Sequence, residues 1–231
     1  RLHDVCYVRL GTRDLEGAAR FAAEVLGLEV AERGRRGLHL RSDARAHTLF
    51  YGEGDPGDQV VGFELRHHGE LEEAGATLEA LGHPVRRGTA AECAERRVKD
   101  FLAFCDPTGN AIELAWRPEQ GAGRYRGGRD AGITGFSHVG LCTTDPARDE
   151  RFWTEVCNAR VSDRIGEAPL LRIGAVHHAI ALFPTSRAGI QHVNHQVESG
   201  DDIMRSFHLL RQRGVKAGQS GEGMRDNPLR P

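Results

Sequence analysis

Residues 137–145 read SHVGLCTTD, and residues 6–14 read CYVRLGTRD. The two stretches align without a gap at an offset of 131, and the register holds as far as Phe21 and Phe152 and beyond. A repeat of this length indicates two copies of one folded module rather than a solenoid built from short units. The sequence therefore predicts two tandem modules that share a fold.

Each copy has the same predicted order of elements. A strand leads into a helix that begins after Asp14 in the first copy and after Asp145 in the second, because an aspartate there accepts hydrogen bonds from free backbone N–H groups. Three short strands follow, with the period and composition of half-buried β-structure. Both copies then restart with a strand and a helix, at 60–66 and 70–81 and at 190–197 and 201–213. Each module is therefore a pair of βαβββ units.

The predicted fold class is α+β, in which each pair of units forms a curved mixed sheet around a cleft. Residues 1–118 are predicted to be an N-terminal module without metal, and residues 135–231 a C-terminal catalytic module. Residues 119–134 are rich in Gly and Arg and lack periodicity, which favours a linker. The second module is expected to be truncated, since the sequence stops before the strands that would complete it.

The composition is that of an ordinary globular protein, with 39% hydrophobic and 28% charged residues. A net charge of −2 gives no reason to expect nucleic acid or an anionic membrane as a partner. No apolar run approaches the roughly 20 residues that cross a bilayer, and no signal peptide is visible. The five cysteines are scattered without a CxxC pair, which argues against a zinc or disulfide framework. A cytoplasmic location is expected.

The two copies differ at two positions that bear on chemistry. Tyr7 corresponds to His138, and Val60 corresponds to His192 at an offset of 132. In paired βαβββ units the two strands that carry these positions are neighbours, so both imidazoles are expected to point into one cleft. Neutral imidazole is a good ligand for Fe(II), Mn(II), Ni(II) or Zn(II). The repeat thus predicts a metal site in the second module, against the alternative of two buried histidines satisfied by hydrogen bonds.

A third ligand is expected from the final strand. In the first module that strand carries Glu113, and the same offset places its counterpart beyond Pro231. A glutamate there would complete a set of two histidines and one carboxylate that leaves one face of the metal open. Glu113 itself is expected to be a hydrogen-bonded structural residue, because Tyr7 and Val60 occupy the places of its co-ligands.

Four stretches carry a resemblance to a known family. They are 135–141 (GFSHVGL), 176–182 (VHHAIAL), 190–195 (IQHVNH) and, in the first module, 106–113 (DPTGNAIE). Together with the tandem modules, they resemble the type I extradiol ring-cleavage dioxygenases of the vicinal oxygen chelate superfamily, the superfamily of glyoxalases and bleomycin resistance proteins. The resemblance covers nearly all of the chain.

The resemblance implies an enzyme that cleaves a catechol-type aromatic diol beside its two hydroxyls and incorporates both atoms of O2. It implies a non-haem Fe(II) cofactor, with Mn(II) as a possible substitute, held by His138 and His192. It further implies that His178 is the catalytic residue that takes a proton from the bound catechol. The partners implied are the small aromatic diol and O2, and relatives of this kind are commonly homo-oligomers.

Four residues are candidates for contact with substrate. Leu170 would line an apolar pocket, and His195 follows His192 by three residues, so it is expected to face the other way along the strand. Arg225 stands where the family usually has a substrate-contacting histidine, and Asn227 matches a nearby asparagine of the family. This departure at Arg225 indicates either a differently placed loop or a substrate that is not a typical catechol.

Two other functions are compatible with the same sequence. A metal-dependent, glyoxalase-like isomerase would usually place ligands in both modules or across a dimer, which Tyr7 and Val60 argue against. A non-catalytic, small-molecule-binding protein of the same fold would usually have lost His138 and His192. Metal content and oxygen uptake with catechols distinguish the three functions.

Overall fold

The computed structural model describes residues 1–215, which form two mixed sheets with helices packed against them. The strands of the first sheet are β1 (Leu2–Thr12), β2 (Glu29–Gly34), β3 (Gly37–Arg41), β4 (Leu49–Glu53), β5 (Gln59–Leu65), β6 (Arg86–Arg87), β7 (Asp100–Cys105) and β8 (Ala111–Trp116). They lie side by side in the order β2-β3-β4-β1-β5-β8-β7-β6. Strand β1 therefore lies inside the sheet, parallel to β4 and antiparallel to β5.

The second sheet repeats the first five positions of this order. Its strands are β9 (Ile133–Thr143), β10 (Arg160–Ile165), β11 (Ala168–Arg172), β12 (Ile180–Pro184) and β13 (Ile190–Val197), arranged as β10-β11-β12-β9-β13. Strand β9 is parallel to β12 and antiparallel to β13, as β1 is to β4 and β5. This correspondence confirms the predicted α+β fold of two related modules, each with a mixed sheet.

Five α-helices accompany the strands in residues 1–215: α1 (Leu15–Arg20), α2 (Gly69–Ala80), α3 (Ala90–Arg96), α4 (Pro146–Arg151) and α5 (Gly200–Gln212). The predicted aspartate caps are present, because the side chains of Asp14 and Asp145 accept from the backbone N–H groups of Gly17 and Arg148. Helices α1 and α4 each continue into a π-helical segment, which the sequence did not predict. None of the helices in the described part of the chain has the length and apolarity needed to cross a bilayer.

Helix α3 is the main element that the sequence prediction missed. The sequence analysis predicts no element here, but Thr89 and Glu92 form a capping box in which each side chain accepts from the other residue's backbone N–H. The helix lies over the cleft of the first sheet, where Cys93 and Arg96 are buried. The cleft of the first module is therefore filled by the protein itself.

The two modules share one hydrophobic core. The ring of Phe63 on β5 lies 5.4 Å from that of Trp153, and the ring of Phe104 on β7 lies 6.1 Å from that of Phe152. Trp153 is fully buried, and burying a large apolar side chain of this kind contributes on the order of 1.5–3 kcal/mol. The packing fixes the second sheet against the first.

A polar joint reinforces this packing. The turn at Asp106 holds Asn110 in place through four hydrogen bonds to the Asp106 carboxylate, one of them from the Asn110 side chain. The Asn110 amide donates to the carbonyl of Cys142 at 2.9 Å, and its oxygen accepts from the backbone N–H of Gly189 at 2.7 Å. A turn of the first module thus forms hydrogen bonds with β9 and with the residue before β13 in the second module.

Candidate metal centre

His138 and His192 lie on the same face of the second sheet. In the antiparallel pair of β9 and β13, His192 is opposite Gly140 and His138 is opposite Asn194. Opposed residues and residues two apart share a face of a sheet, so the two imidazoles are diagonal neighbours. Their Nε2 atoms are 3.0 Å apart, which means that the structure brings the two predicted ligands together.

The spacing of these two nitrogens fits a shared metal ion. Two imidazole nitrogens on adjacent corners of one coordination sphere, each about 2.1 Å from the metal, are about 3.0 Å apart, which matches the distance observed here. Two neutral imidazoles whose nitrogens face each other at this distance share either a proton or a cation, since two lone pairs repel. The donor set is suited to Fe(II) among other divalent metals.

The electrostatics favour the ligand form of both rings. Burial, followed by the neighbouring His178 and His192 rings, lowers the pKa of His138 to about 3. Burial also lowers the pKa of His192. Both imidazoles are therefore neutral near pH 7 and have a lone pair available for a metal.

Gly140 makes room for the His192 ring. A Cβ atom at this position would lie 2.7 Å from both Cε1 and Nδ1 of His192, closer than side-chain atoms approach each other. The ring therefore rests directly on the backbone of β9. Phe183 on β12 approaches it from the side, with ring centroids 5.4 Å apart.

His178 lies beside this pair, two residues before the start of β12. Its ring centroid is 4.2 Å from that of His138. Two backbone hydrogen bonds of the next residue hold the segment, from Val139 N to Ala179 O at 3.1 Å and from Ala179 N to Leu171 O at 2.8 Å. Burial, followed by His177 and His192, lowers the pKa of His178, so this ring is also neutral near pH 7 and able to accept a proton.

Leu170 shares the cleft face with His192. The register runs in one row from Leu170 through Ala181 and Gly140 to His192, one residue on each of four adjacent strands. The adjacent row, which contains Leu171, faces the hydrophobic core instead. These four residues form the floor of the cleft. The buried Leu170 side chain lies at the end opposite His192, and the two residues between them, Ala181 and Gly140, are small.

His195 lies apart from the three imidazoles. A register shift between Asn194 and His195 places it opposite Phe136, and the two ring centroids are 5.8 Å apart. Phe136 belongs to the hydrophobic core. This position agrees with the expectation that His195 faces away from His192.

The other predicted site residues, Arg225, Asn227 and the glutamate expected past Pro231, lie outside the described residues. Residues 1–215 contain no group of three or more His, Cys, Asp or Glu side chains placed to hold a metal. The described part of the centre therefore consists of two ligand candidates, with His178 next to them.

Two neighbours of His138 were missed by the sequence analysis. The amide nitrogen of Asn194 lies 3.4 Å from His138 Nε2, and the hydroxyl of Ser137 lies 3.4 Å from His138 Nδ1. The period of two along β13 identifies Asn194, because it follows His192 by two residues and so shares its face. Ser137 lies at a bulge, which periodicity alone does not reveal.

The equivalent place in the first module holds an ion pair. Tyr7 donates to Glu113 at 2.7 Å, and the Arg96 guanidinium contacts the same carboxylate at 2.7–2.8 Å. All three residues are buried, and burial with the nearby Glu113 carboxylate raises the pKa of Tyr7 well above its usual value. Glu113 is thus the hydrogen-bonded structural residue that the sequence predicted.

Comparison with known proteins identifies the family. The family model described as "Glyoxalase/Bleomycin resistance protein/Dioxygenase superfamily" matches residues 5–114 and 135–221. The chain belongs to this superfamily. The match confirms the resemblance seen in the sequence, and it covers both modules of the fold.

Similar proteins within the superfamily are extradiol dioxygenases. The "Iron-dependent extradiol dioxygenase" of Rhodococcus jostii (strain RHA1) is 30% identical over 227 residues, covering 87% of this chain and 75% of the relative. The "Biphenyl-2,3-diol 1,2-dioxygenase" of Pseudomonas sp. (strain KKS102) is 26% identical, covering 96% and 82%. The crystal structure of a halotolerant catechol dioxygenase superposes with a TM-score of 0.84 at 24% identity, covering 92% and 76%. The last likeness concerns the fold.

Proposed function

We propose that this protein is an extradiol dioxygenase that cleaves a catechol-type aromatic diol with O2 at a non-haem Fe(II) site. The observation that carries the proposal is the 3.0 Å approach of His138 Nε2 and His192 Nε2 on one sheet face, in a chain of the superfamily that contains dioxygenases. The relative from Rhodococcus jostii is named as iron-dependent, which supports iron as the metal.

His138 and His192 would hold the metal through their Nε2 atoms. When bound, Fe(II) would bring a catecholate and O2 into one coordination sphere and supply the path for electrons between them. A carboxylate beyond the described residues, at the position equivalent to Glu113 of the first module, would complete the ligand set. Phe183 and Gly140 support the role of His192, because they fix its ring orientation from two sides.

His178 would remove a proton from the catechol as it binds. Its neutral imidazole, lying 4.2 Å from the His138 ring between centroids, has the protonation state that a general base needs near pH 7. Burial lowers its pKa, so the imidazolium formed on accepting the proton would readily give it back to the substrate. The residue would thus serve first as a base and then as an acid.

The floor between His192 and Leu170 would accept the rest of the substrate. The row from Leu170 through Ala181 to Gly140 is apolar. The small residues Ala181 and Gly140 leave space above the sheet for a flat aromatic ring. Leu170 would contact a ring substituent. Arg225 and Asn227 are proposed as further substrate contacts on the basis of the family resemblance, and His195 is the weakest candidate because it lies against Phe136.

The first module has its counterpart positions filled by Tyr7 and by the Arg96–Glu113 pair. This observation disfavours a glyoxalase-like isomerase with ligands in both modules. It also supports residues 1–118 as a module without metal and residues 135–231 as the catalytic one, joined by residues 119–134.

We further propose a cytoplasmic homo-oligomer. The cysteines are all free, as expected in a reducing compartment. The exposed apolar side chains of Ile203, Met204 and Phe207 on α5 provide a surface for self-association. Size-exclusion chromatography with light scattering tests this part of the proposal, and a strictly monomeric protein would contradict it.

The test of the catalytic function begins with anaerobic loading of the purified protein with Fe(II). The protein is then mixed with 2,3-dihydroxybiphenyl and air, while oxygen uptake and absorbance are recorded. We expect one O2 consumed per diol and a yellow ring-opened product, with neither from the His192→Ala variant. A protein that retains iron but consumes no O2 with any of a panel of catechols would overturn the proposal, and Mn(II) loading identifies the active metal.

A further inference from the structure

The Nδ1 atoms of His177 and His178 are 3.0 Å apart, within hydrogen-bond distance. The two rings are nearly perpendicular, at 85°, with centroids 5.2 Å apart. His177 is exposed, whereas His178 is half-buried beside His138. The ring of His178 therefore meets, at its Nδ1 atom, a second imidazole that lies in solvent.

The first module lacks this contact. The hydrogen bonds of the segment are the same in both modules: Val8 N donates to Thr48 O and Thr48 N to Leu40 O, as Val139 N does to Ala179 O and Ala179 N to Leu171 O. His47 is consequently the counterpart of His178, and Ala46 is the counterpart of His177. The first module has kept the first imidazole without the second.

His47 shows how the imidazole is placed when no second imidazole precedes it in the sequence. Its ring is buried and stacked on Tyr7, with centroids 5.3 Å apart, much as His178 lies beside His138. Its Nε2 atom is buried with no hydrogen-bond partner among the described residues. A buried imidazole at this position is thus compatible with a structural role. The second imidazole, His177, is present only in the module where the ring has a proposed catalytic role.

The contact determines which nitrogen of His178 can act. A neutral imidazole has one N–H and one lone pair. If His178 carries its hydrogen on Nδ1 and donates it to His177, the lone pair on Nε2 is free to accept a proton. If His177 donates instead, the hydrogen of His178 is on Nε2, and the ring cannot serve as a base there.

We propose that His177 is a positioning residue that accepts a hydrogen bond from Nδ1–H of His178, and so fixes the ring orientation and the tautomer that leaves Nε2 of His178 free. The inference rests on the proposed function in that it assigns the base role to His178. The arrangement has the logic of a catalytic triad, in which an acceptor behind the imidazole holds its tautomer and stabilises the imidazolium that forms. Here the acceptor is a second imidazole rather than a carboxylate.

The first test concerns the tautomer and requires neither metal nor turnover. The metal-free protein, with ¹⁵N-labelled histidine, is studied by NMR at pH 7.5 as wild type, His177→Asn and His177→Leu. Asn and Leu have similar shapes, but only Asn offers an acceptor oxygen. We expect the hydrogen of His178 on Nδ1 in the wild type, with a coupling across the hydrogen bond to His177 Nδ1, the same tautomer in His177→Asn, and a mixture in His177→Leu.

A hydrogen on Nε2 of His178 in the wild type would overturn the inference, as would a tautomer unchanged in His177→Leu. The outcome is independent of whether the protein is a dioxygenase.

The second test uses the iron-loaded enzyme. We expect His177→Leu to lower kcat on the order of tenfold, at the low end of the 10–100-fold typical of partners behind active groups, because the contact is exposed to water. Iron affinity, measured by titration, and KM should not change, and His177→Asn should recover most of the turnover. A wild-type kcat in His177→Leu, or equal losses in both variants, would refute the positioning role.

If the wild type itself has no turnover, the proposed function fails while the NMR result still decides this inference.

Discussion

In the first module, the ring at the centre of the cleft is Tyr7, whose hydroxyl is bonded to Glu113 and lies close to the Arg96 guanidinium. In the second module, the same sheet position is His138, and its partner across the strands is His192. The backbone around the two rings is the same, since β4-β1-β5 and β12-β9-β13 have identical order and direction. The modules therefore differ in the side chains they present and not in the framework that holds them.

The buried carboxylate in the cleft of the first module is paired with an internal cation. In the first module the cation is Arg96, which reaches Glu113 from α3 and closes the cleft. A buried carboxylate without a partner is strongly unfavourable, so the internal guanidinium stabilises the first module. In the second module two neutral imidazoles, His138 and His192, occupy the equivalent part of the cleft.

The largest expected effect comes from His192→Ala. Removal of one of two close imidazoles should lower iron affinity at least about 100-fold, beyond the loss typical of a residue behind a ligand, and abolish oxygen uptake. Titration calorimetry under anaerobic conditions measures the affinity. The matched variant Val60→Ala, at the counterpart position of the first module, should retain full iron binding; a parallel loss in both variants would mean that the modules do not differ as described.

His178→Ala separates base chemistry from metal binding. We expect kcat to fall on the order of 10²–10⁴-fold, the contribution of a well-placed general base, with iron occupancy close to that of the wild type. Stopped-flow kinetics and metal analysis of the same samples measure both. His47→Ala, its counterpart, should leave turnover per folded molecule unchanged, and equal loss of iron and turnover in His178→Ala would contradict the base role.

Arg96→Ala tests the internal cation of the first module. It leaves Glu113 buried without its charge partner, which should lower the free energy of unfolding by about 3–5 kcal/mol, as measured by urea denaturation. Arg86→Ala is the control, since Arg86 pairs with Glu92 at the exposed surface, where such pairs contribute little to stability. Similar losses from the two variants would argue against the guanidinium as a substitute for a metal.

The smallest predicted effect concerns Gly140. A methyl group there would lie 2.7 Å from the His192 ring, so the ring must move away from His138 while the strand stays in place. We expect Gly140→Ala to weaken iron binding about 10–100-fold without a large change in melting temperature. Gly135→Ala, on the same strand with open space around its Cα, should bind iron normally, and normal binding by Gly140→Ala would show that the close contact is unimportant.

Much of the fold was predictable because the repeat shows the pattern of each shared element twice in the sequence. The strand predicted at 190–197 is β13 (Ile190–Val197), and Asp14 and Asp145 cap the helices that they were expected to begin. Helix α3 was missed, although Thr89 and Glu92 provide the signal of a capping box. Its seven residues are too short for a clear apolar period, so only the cap identifies it.

The pairing of the two imidazoles was predictable from the sequence, but the contacts that support them were not. The exchange of Tyr7 for His138 and of Val60 for His192 identified the pair, because only one copy has imidazoles at both positions. The roles of Gly140 and His177 depend on a ring resting on a strand and on two rings meeting at Nδ1. Such contacts arise from rotamers and bulges, which the linear pattern does not encode.

The hydrogen bonds of Asn110 link the first module to the two strands that carry His138 and His192. The Asn110 amide binds the carbonyl of Cys142, two residues after Gly140, and the backbone N–H of Gly189, three residues before His192. One side chain of the first module thus holds both strands that bear the imidazoles, from outside their own sheet. The first module therefore supports the second mechanically, and its removal would leave the two histidine-bearing strands without this shared anchor.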